Sequence, residues 1–187
     1  MANMRAHEIL DAKGLACPMP IVKTKKAMNY LEAGQVIEVQ ATDKGSKADL
    51  KAWAESTGHQ YLGTLEEGDV LKHYLRKSSG EEIIERHHPN VVSNDDLEKK
   101  LNENIIILDV REVAEYAFSH IEKAISIPLG ELEDRLNELN KEDEIFIVCR
   151  TGSRSDLAAQ KLTKNGFTNV FNVVPGMSHW KGQTSKL

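Results

Sequence analysis

The sequence predicts an α/β protein with two domains, and three observations support this interpretation. Residues 1–78 give the element order β-α-β-α-β-β, which indicates a two-layer sandwich with both helices on one face of the sheet. Residues 91–187 alternate short apolar strands with helices, which indicates a parallel sheet with helices on both faces. Residues 79–90 are charged and rich in turn formers, so we interpret them as a linker.

The amino-acid composition of the chain argues against nucleic acids and membranes as binding partners. The net charge is −5 at pH 7, and neither half carries the basic stripe that a nucleic-acid backbone requires. No charged-then-apolar leader opens the chain, and no apolar run approaches membrane-spanning length. We therefore expect a cytoplasmic protein with no nucleic-acid and no membrane partner. Its two cysteines, Cys17 and Cys149, lie in polar, basic sequence, so in a reducing compartment we interpret both as reactive thiols.

The first domain is predicted to begin with a strand over 7–11 and a loop that leads to Cys17. The prolines after Cys17 suit a first helical turn, where the missing N–H is not needed. That helix buries one face, formed by residues at spacings of three and four: Ile21, Thr24, Met28 and Leu31. Because Cys17 stands at the helix N-terminus with three lysines within two turns, we expect its thiolate to be stabilised.

The other elements predicted for this domain are a strand at 36–41, a helix at 46–57, and strands at 60–65 and 70–76 joined by a turn at 66–69. Over about residues 5–77 the chain resembles the TusA/SirA family of small sulfur carriers. The resemblance rests on Gly14-Leu15-Ala16-Cys17-Pro18-Met19-Pro20, on Thr42-Asp43 and on Asp49-Leu50-Lys51-Ala52-Trp53. It implies that Cys17 accepts a persulfide sulfur from a partner and passes it on. Some relatives carry a second cysteine after the tryptophan, where this chain has Ala54.

The linker contains Ile83-Ile84, compatible with a short strand or a helical turn, and closes with His87-His88-Pro89-Asn90. Adjacent histidines can bind a metal, but no carboxylate–histidine spacing supports a site here. We therefore interpret His87 and His88 as solvated linker and expect no metal.

In the second domain, Ser93 followed by Asp96 predicts a helix start of the capping-box type. Strands are predicted at 105–109, 125–127, 145–148 and 170–174. Between them, helices are predicted at 112–117, at 129–139 from the spacing of four leucines, and at 156–162.

Cys149 is the centre of this domain. It ends a buried strand and precedes a helix, the position at which open α/β sheets bind ligands. The loop amides, the helix dipole, Arg150 and Arg154 all favour negative charge there. We therefore expect Cys149 to be largely thiolate at neutral pH. The alternative is an inert, packed strand-end cysteine.

Loop length separates two kinds of cysteine chemistry. Cysteine phosphatases have five residues between Cys and Arg, and here Arg154 comes one residue too early, so a phosphatase or arsenate reductase is disfavoured. The chain instead resembles the rhodanese sulfurtransferases over about residues 91–183. The matching motifs are Cys149-Arg150-Thr151-Gly152-Ser153-Arg154, Leu108-Asp109-Val110-Arg111-Glu112 and His120-Ile121-Glu122-Lys123-Ala124-Ile125-Ser126-Ile127-Pro128-Leu129. The resemblance implies that Cys149 carries a persulfide within this loop, with Arg150 to Arg154 binding the substrate.

Two departures from that family's pattern affect the rim of the predicted site. Ser119 and Lys123 stand where relatives commonly carry glycine, and Val174-Pro175-Gly176 replaces a common double-glycine turn. Asp109 and Arg111 are either a catalytic pair or a structural ion pair that supports the loop, and we favour the ion pair. His120 is interpreted as a packed or capping histidine rather than a general base.

The sequence thus predicts a sulfurtransferase that needs no cofactor. Cys149 would take sulfane sulfur from thiosulfate or a protein persulfide and pass it to Cys17, which would deliver it to an acceptor thiol or sulfur-carrier protein. The alternative is a regulatory protein in which the first domain docks a partner and only the second domain is catalytic. The retained Cys17 favours the relay.

Overall fold

The computed structural model describes residues 4–78 and 86–187. The chain divides between Glu82 and Ile83 into two units. The strand or turn predicted at Ile83-Ile84 lies outside the described residues. Within the described ranges, none of the helices is both long enough and apolar enough to cross a lipid bilayer.

The first unit has the predicted element order. Its elements are β1 (Glu8–Asp11), α1 (Met19–Met28), β2 (Val36–Ala41), α2 (Ser46–Thr57), β3 (Gln60–Glu67) and β4 (Val70–Arg76). The helix α2 ends where predicted, because Gly58 adopts the left-handed conformation that terminates many helices. The hairpin turn is two residues long rather than four, since β3 continues through Glu67 to pair with Val70.

The first unit forms one mixed sheet in the order β1-β2-β4-β3. β1 runs parallel to β2, and the other neighbours are antiparallel. Both helices pack on the same apolar cluster as the inward residues of the strands, which include Ile37, Val39 and Leu75. The predicted two-layer arrangement is therefore confirmed, with α1 and α2 on the same face of the sheet.

The second unit is the predicted parallel α/β domain. Its elements are β5 (Val91–Ser93), α3 (Asn94–Lys100), β6 (Ile106–Asp109), α4 (Val113–Phe118), β7 (Ile125–Ser126), β8 (Ile145–Val148), α5 (Ser153–Lys164) and β9 (Val170–Val174). All strands are parallel, in the order β5-β9-β8-β6-β7. The three-residue edge strand β5 was not predicted, because so short a segment shows no periodicity.

The central strand β8 carries both cores of this unit. Alternate side chains point to opposite faces of a strand, so Ile145, Ile147 and Cys149 join the cluster that contains α5. Phe146 and Val148 join the cluster on the other face, together with Leu97 of α3. This double burial fixes the register of β8, and hence the place where its loop begins.

The helix predicted over 129–139 is wrong in type. The chain instead forms two short 3₁₀ segments, Leu129–Glu131 and Glu133–Glu138, with non-helical dihedrals at Arg135. The Arg135 guanidinium hydrogen-bonds both Glu131 and Glu138, so its ion pairs hold the kink. Leucines at spacings of three and four bury equally well in either geometry, which is why their pattern did not distinguish the two.

Candidate functional site

Cys149 lies at the carboxyl end of the central strand, as predicted. Its side chain is 1% exposed, and α5 begins four residues later at Ser153. The backbone N–H of Gly152 donates a hydrogen bond to its Sγ at 3.1 Å. An amide donor aimed at sulfur stabilises negative charge on it. Three residues of the loop that follows Cys149 are partly exposed: Arg150, Thr151 and Ser153.

A buried polar pair below the loop also contacts the sulfur. Ser155 Oγ lies 3.2 Å from Cys149 Sγ and donates to Asn172 Oδ1 at 2.6 Å. Because the hydroxyl has one hydrogen, Ser155 can accept the thiol hydrogen of Cys149 while it donates to Asn172. The Asn172 amide in turn donates to the carbonyl of Gly152 at 3.1 Å. Asn172 therefore connects both contacts of the sulfur.

Two glycines are required by the close packing of the loop. Gly152 has φ +97°, and a Cβ there would lie 2.7 Å from a methyl of Val174. Gly176 has φ +88°, and a Cβ there would lie 2.5 Å from the carbonyl oxygen of Cys149. The side-chain amide of Asn94 holds Gly176 with two hydrogen bonds: it donates to the Gly176 carbonyl and accepts from the Gly176 N–H. The unusual Val174-Pro175-Gly176 turn thus still brings its backbone against the loop.

Arg154 forms an ion pair with Glu115, a partner that the sequence did not reveal. Its guanidinium donates to both carboxylate oxygens of Glu115, at 2.8 and 3.1 Å, and the Glu115 side chain is fully buried. Burial opposes the charge of Arg154, but the Glu115 carboxylate more than offsets it and raises the pKa of Arg154. The binding of donor by Arg154 stays a prediction. The ion pair with Glu115 anchors the loop to α4.

Asp109 and Arg111 form the expected ion pair. Arg111 Nη2 lies 2.6 Å from Asp109 Oδ2, and both side chains are buried. The same nitrogen donates to the carbonyl of Ser119 at 2.7 Å. Burial opposes the charge of Arg111, yet Asp109 raises its pKa overall. The pair ties the end of β6 to the segment after α4.

The two histidine predictions have different outcomes. His120 is a packed histidine, because its ring stacks on Tyr116 at 3.8 Å and its Nδ1 contacts the Tyr116 carbonyl at 2.8 Å. The interpretation of His88 as solvated is wrong. His88 is 7% exposed, and its Nε2 donates to the carbonyl of Val170 at 2.8 Å.

Asp156, in the first turn of α5, explains why the histidine segment is fixed. The backbone N–H groups of His87 and His88 each donate to its carboxylate at 3.0 Å. Burial alone would raise the pKa of Asp156, but these two N–H groups lower it. Among residues 4–78 and 86–187, no three acidic, cysteine or histidine side chains are grouped to hold a metal.

Cys17 has surroundings opposite to those predicted. It is exposed and precedes Pro18, the N-cap residue of α1. The Asp49 carboxylate beside Cys17 raises the pKa of its thiol, and the negative charge of Asp43 adds to this effect. The expected stabilisation of its thiolate by lysines is therefore wrong. Lys23 instead donates to the carbonyl of Asp11 at 3.3 Å.

The acidic group near Cys17 comes from α2 and the loop before it. A methyl group built on Gly45 would lie 3.6 Å from Asp43 Oδ2 and 3.8 Å from Asp49 Oδ2, so the two carboxylates face the same space. The position of these carboxylates near Cys17 depends on how α2 packs beside α1, and the hydrophobic periodicity of the sequence does not reveal this packing.

The sequence did contain a sign that Asn172 has a structural role, since it is an amide within an otherwise apolar strand.

Comparisons with known proteins match the two halves separately. Residues 8–77 match the family model described as Sulfurtransferase TusA, and residues 93–183 match the Rhodanese-like domain. The sulfur carrier protein TusA of Allochromatium vinosum is 45% identical over 37% of this chain and 91% of its own length. The crystal structure of a rhodanese-like domain protein from Staphylococcus aureus is 34% identical with a TM-score of 0.50, covering 52% of this chain and 98% of that chain.

One relative matches both halves together. It is the Bacillus subtilis (strain 168) protein named "Putative sulfur carrier protein YrkF", which is 54% identical over 97% of this chain and 99% of its own length. The order of the two units is therefore shared along the whole length of that protein.

Proposed function

Because the chain belongs to the family of proteins that join a TusA domain to a rhodanese-like domain, we propose that it is a sulfur relay. Cys149 takes sulfane sulfur from a small anion or a protein persulfide, and Cys17 carries that sulfur to an acceptor. The observation that carries the proposal is the Gly152 N–H at 3.1 Å from Cys149 Sγ. It supplies a donor where a thiolate or persulfide needs one.

The loading step can be written with thiosulfate as the donor. Cys149 Sγ attacks the sulfane sulfur, the sulfur–sulfur bond of thiosulfate breaks, and its electron pair leaves with sulfite. Cys149 then holds a persulfide whose outer sulfur lies about 2.05 Å from Sγ. The Gly152 N–H, which donates to Sγ, and the charge of Arg150, the partly exposed next residue of the loop, favour its negative charge.

The transfer step moves the outer sulfur to Cys17. Cys17 gives up its proton, its sulfur attacks the outer sulfur, and the bond to Cys149 Sγ breaks with its electrons returning to Cys149. One sulfur atom has moved, and the proton released by Cys17 passes to solvent or to the returning Cys149 thiolate, so no oxidant or reductant is consumed. The Asp49 carboxylate, which raises the pKa of Cys17, holds that proton on the thiol until transfer.

The other polar groups support the loop. Asn172 holds the Gly152 carbonyl and Ser155 together, while the Asp109–Arg111 and Glu115–Arg154 pairs fix the neighbouring strand and helix. Donor recognition then falls to groups at the partly exposed rim, such as Arg150. We place the reaction in the cytoplasm, where the free thiols Cys17 and Cys149 stay reduced.

A second candidate function is a catalytic second unit whose first unit only docks a partner. The observation that favours it is the acidic surroundings of Cys17, because a raised pKa leaves less thiolate at neutral pH. The two candidates differ in one measurable respect: only a relay places sulfur on Cys17.

Mass spectrometry of the intact chain after incubation with thiosulfate tests the proposal. We expect the peptide with Cys149 to gain one sulfur atom first and the peptide with Cys17 to gain it later. A Cys149→Ser chain treated in the same way is the control for direct reaction at Cys17. Sulfur on Cys149 alone would favour the docking function. No sulfur on Cys149, from thiosulfate or from a protein persulfide supplied in its place, would overturn both candidates.

A further inference from the structure

We propose that Arg86, in the segment before the first strand of the second unit, binds the anionic part of the sulfur donor beside the Cys149 loop. This inference rests on the proposed function and makes it more specific. It names small sulfur oxyanions such as thiosulfate as the donor class, and it assigns their recognition to a residue outside the loop.

The position of Arg86 carries the inference. A methyl group built on Gly152 would lie 3.7 Å from both Nε and Nη2 of Arg86, so the guanidinium lies directly against the loop. Gly152 is the residue whose N–H contacts Cys149 Sγ at 3.1 Å. Arg86 is also exposed, so its charge is accessible to a dissolved anion.

The backbone that carries Arg86 is fixed to the same helix that follows the loop. The next two residues, His87 and His88, donate their N–H groups to the carboxylate of Asp156 at 3.0 Å each. The buried His88 ring adds a hydrogen bond to β9. Since Asp156 lies in the first turn of α5, Arg86 is held close to the loop through its chain neighbours.

Arg86 would act together with Arg150 of the loop, because two other arginines near the loop are already paired with carboxylates. The Arg154 guanidinium donates to both carboxylate oxygens of Glu115, and its side chain is only 15% exposed. Arg111 is buried against Asp109. A guanidinium presents a planar fork of donors that matches oxyanions. Arg86 therefore supplies a positive charge for the sulfonate end of thiosulfate while the sulfane sulfur approaches Cys149.

Alkylation of Cys149 tests this charge without requiring sulfur transfer. Iodoacetate carries a negative charge and iodoacetamide does not, so the ratio of their rates at Cys149 reports the local potential. We expect Arg86→Gln to lower that ratio roughly threefold or more, and Arg86→Lys to keep most of it. The rates are followed on the Cys149 peptide of the full chain, because Cys17 also reacts.

The control removes an equal charge from the far end of α5. Lys164 lies eleven residues from Ser153 along the helix, roughly 16 Å away. The Lys164→Gln substitution should therefore leave the ratio of the two alkylation rates unchanged. The iodoacetamide rate of each variant shows whether its loop is intact. An unchanged ratio in Arg86→Gln, or an equal fall in Lys164→Gln, would overturn the assignment.

Thiosulfate kinetics add the functional readout. Arg86→Gln should raise KM for thiosulfate several-fold and leave kcat nearly unchanged, because the lost contact binds donor before the chemical step. A fall in kcat at constant KM would contradict donor binding. If the unsubstituted chain takes no sulfur from thiosulfate or from a protein persulfide, the proposed function fails, whereas the alkylation ratio still decides the role of Arg86.

Discussion

Glu115 holds Arg154 from a neighbouring helix with two hydrogen bonds of 2.8 and 3.1 Å, and so links α4 to the first turn of α5. The loop that begins at Cys149 therefore has a fixed end on both sides. Its start is set by the central strand, and its finish is set by this ion pair.

Glu115→Gln should destabilise the second unit by about 3 kcal/mol, because it leaves the Arg154 charge largely buried without its partner. Urea unfolding followed by Trp180 fluorescence measures this in a Trp53→Phe background, since these are the two tryptophans of the chain. The control is Glu138→Gln, which breaks an exposed pair with Arg135 and should cost much less, because solvent screens such pairs. Equal losses would show that burial of Glu115 is unimportant.

Asp49→Asn should lower the pKa of Cys17. The carboxylate raises that pKa in the native chain, so its removal lets the thiolate form at lower pH. Iodoacetamide alkylation of the Cys17 peptide, measured against pH, should therefore show a curve displaced to lower pH and a faster rate at neutral pH. Glu55→Gln, later on the same helix, is the charge-matched control. A curve that moves upward or stays in place would refute the role given to Asp49.

Cys149→Ser should abolish transfer of sulfur from thiosulfate to cyanide, while Cys17→Ser should leave it largely intact. Only Cys149 has an amide donor from a loop on its sulfur among the two described cysteine sites, and cyanide is small enough to take sulfur from it directly. Steady-state turnover of the two variants is the measurement. Equal loss in both would show that the two units do not divide the work in this way.

Transfer within one chain should be independent of concentration. A linker that allows the two thiols to meet gives an effective concentration that can reach roughly millimolar. A Cys17→Ser chain loaded on Cys149 can be mixed with a Cys149→Ser chain, which allows transfer only between molecules. At micromolar protein, labelling of Cys17 in the unsubstituted chain should be much faster than in the mixture. Equal rates would mean that joining the units serves another purpose.

The sequence predicted those features that depend on neighbours along the chain. The apolar run at Ile145–Val148 and the helix after it placed Cys149 correctly. Residues whose role depends on distant partners were not predicted. Glu115 meets Arg154 across the fold. Asp49 of α2 acts on Cys17, which precedes α1, because both helices pack on one apolar cluster.

The role of Arg86 was also not predicted from the sequence, because it depends on contacts between distant parts of the chain. Its surroundings in sequence are charged and contain a proline, which is typical of a linker. Only the hydrogen bonds of the two residues after it reveal that this stretch belongs to the second unit. A pattern of polar residues describes composition, whereas membership of a domain depends on contacts.

Asp156 has a practical consequence for anyone who wishes to produce the second unit alone. A fragment that starts at residue 91 would remove both N–H donors from a carboxylate that is 1% exposed. Hydrogen bonds to a charged group contribute about 1.5–3 kcal/mol each, so such a truncated fragment would express poorly or unfold at modest temperature. A fragment that starts at residue 79 keeps both donors, together with Arg86, and is the better candidate for isolated study.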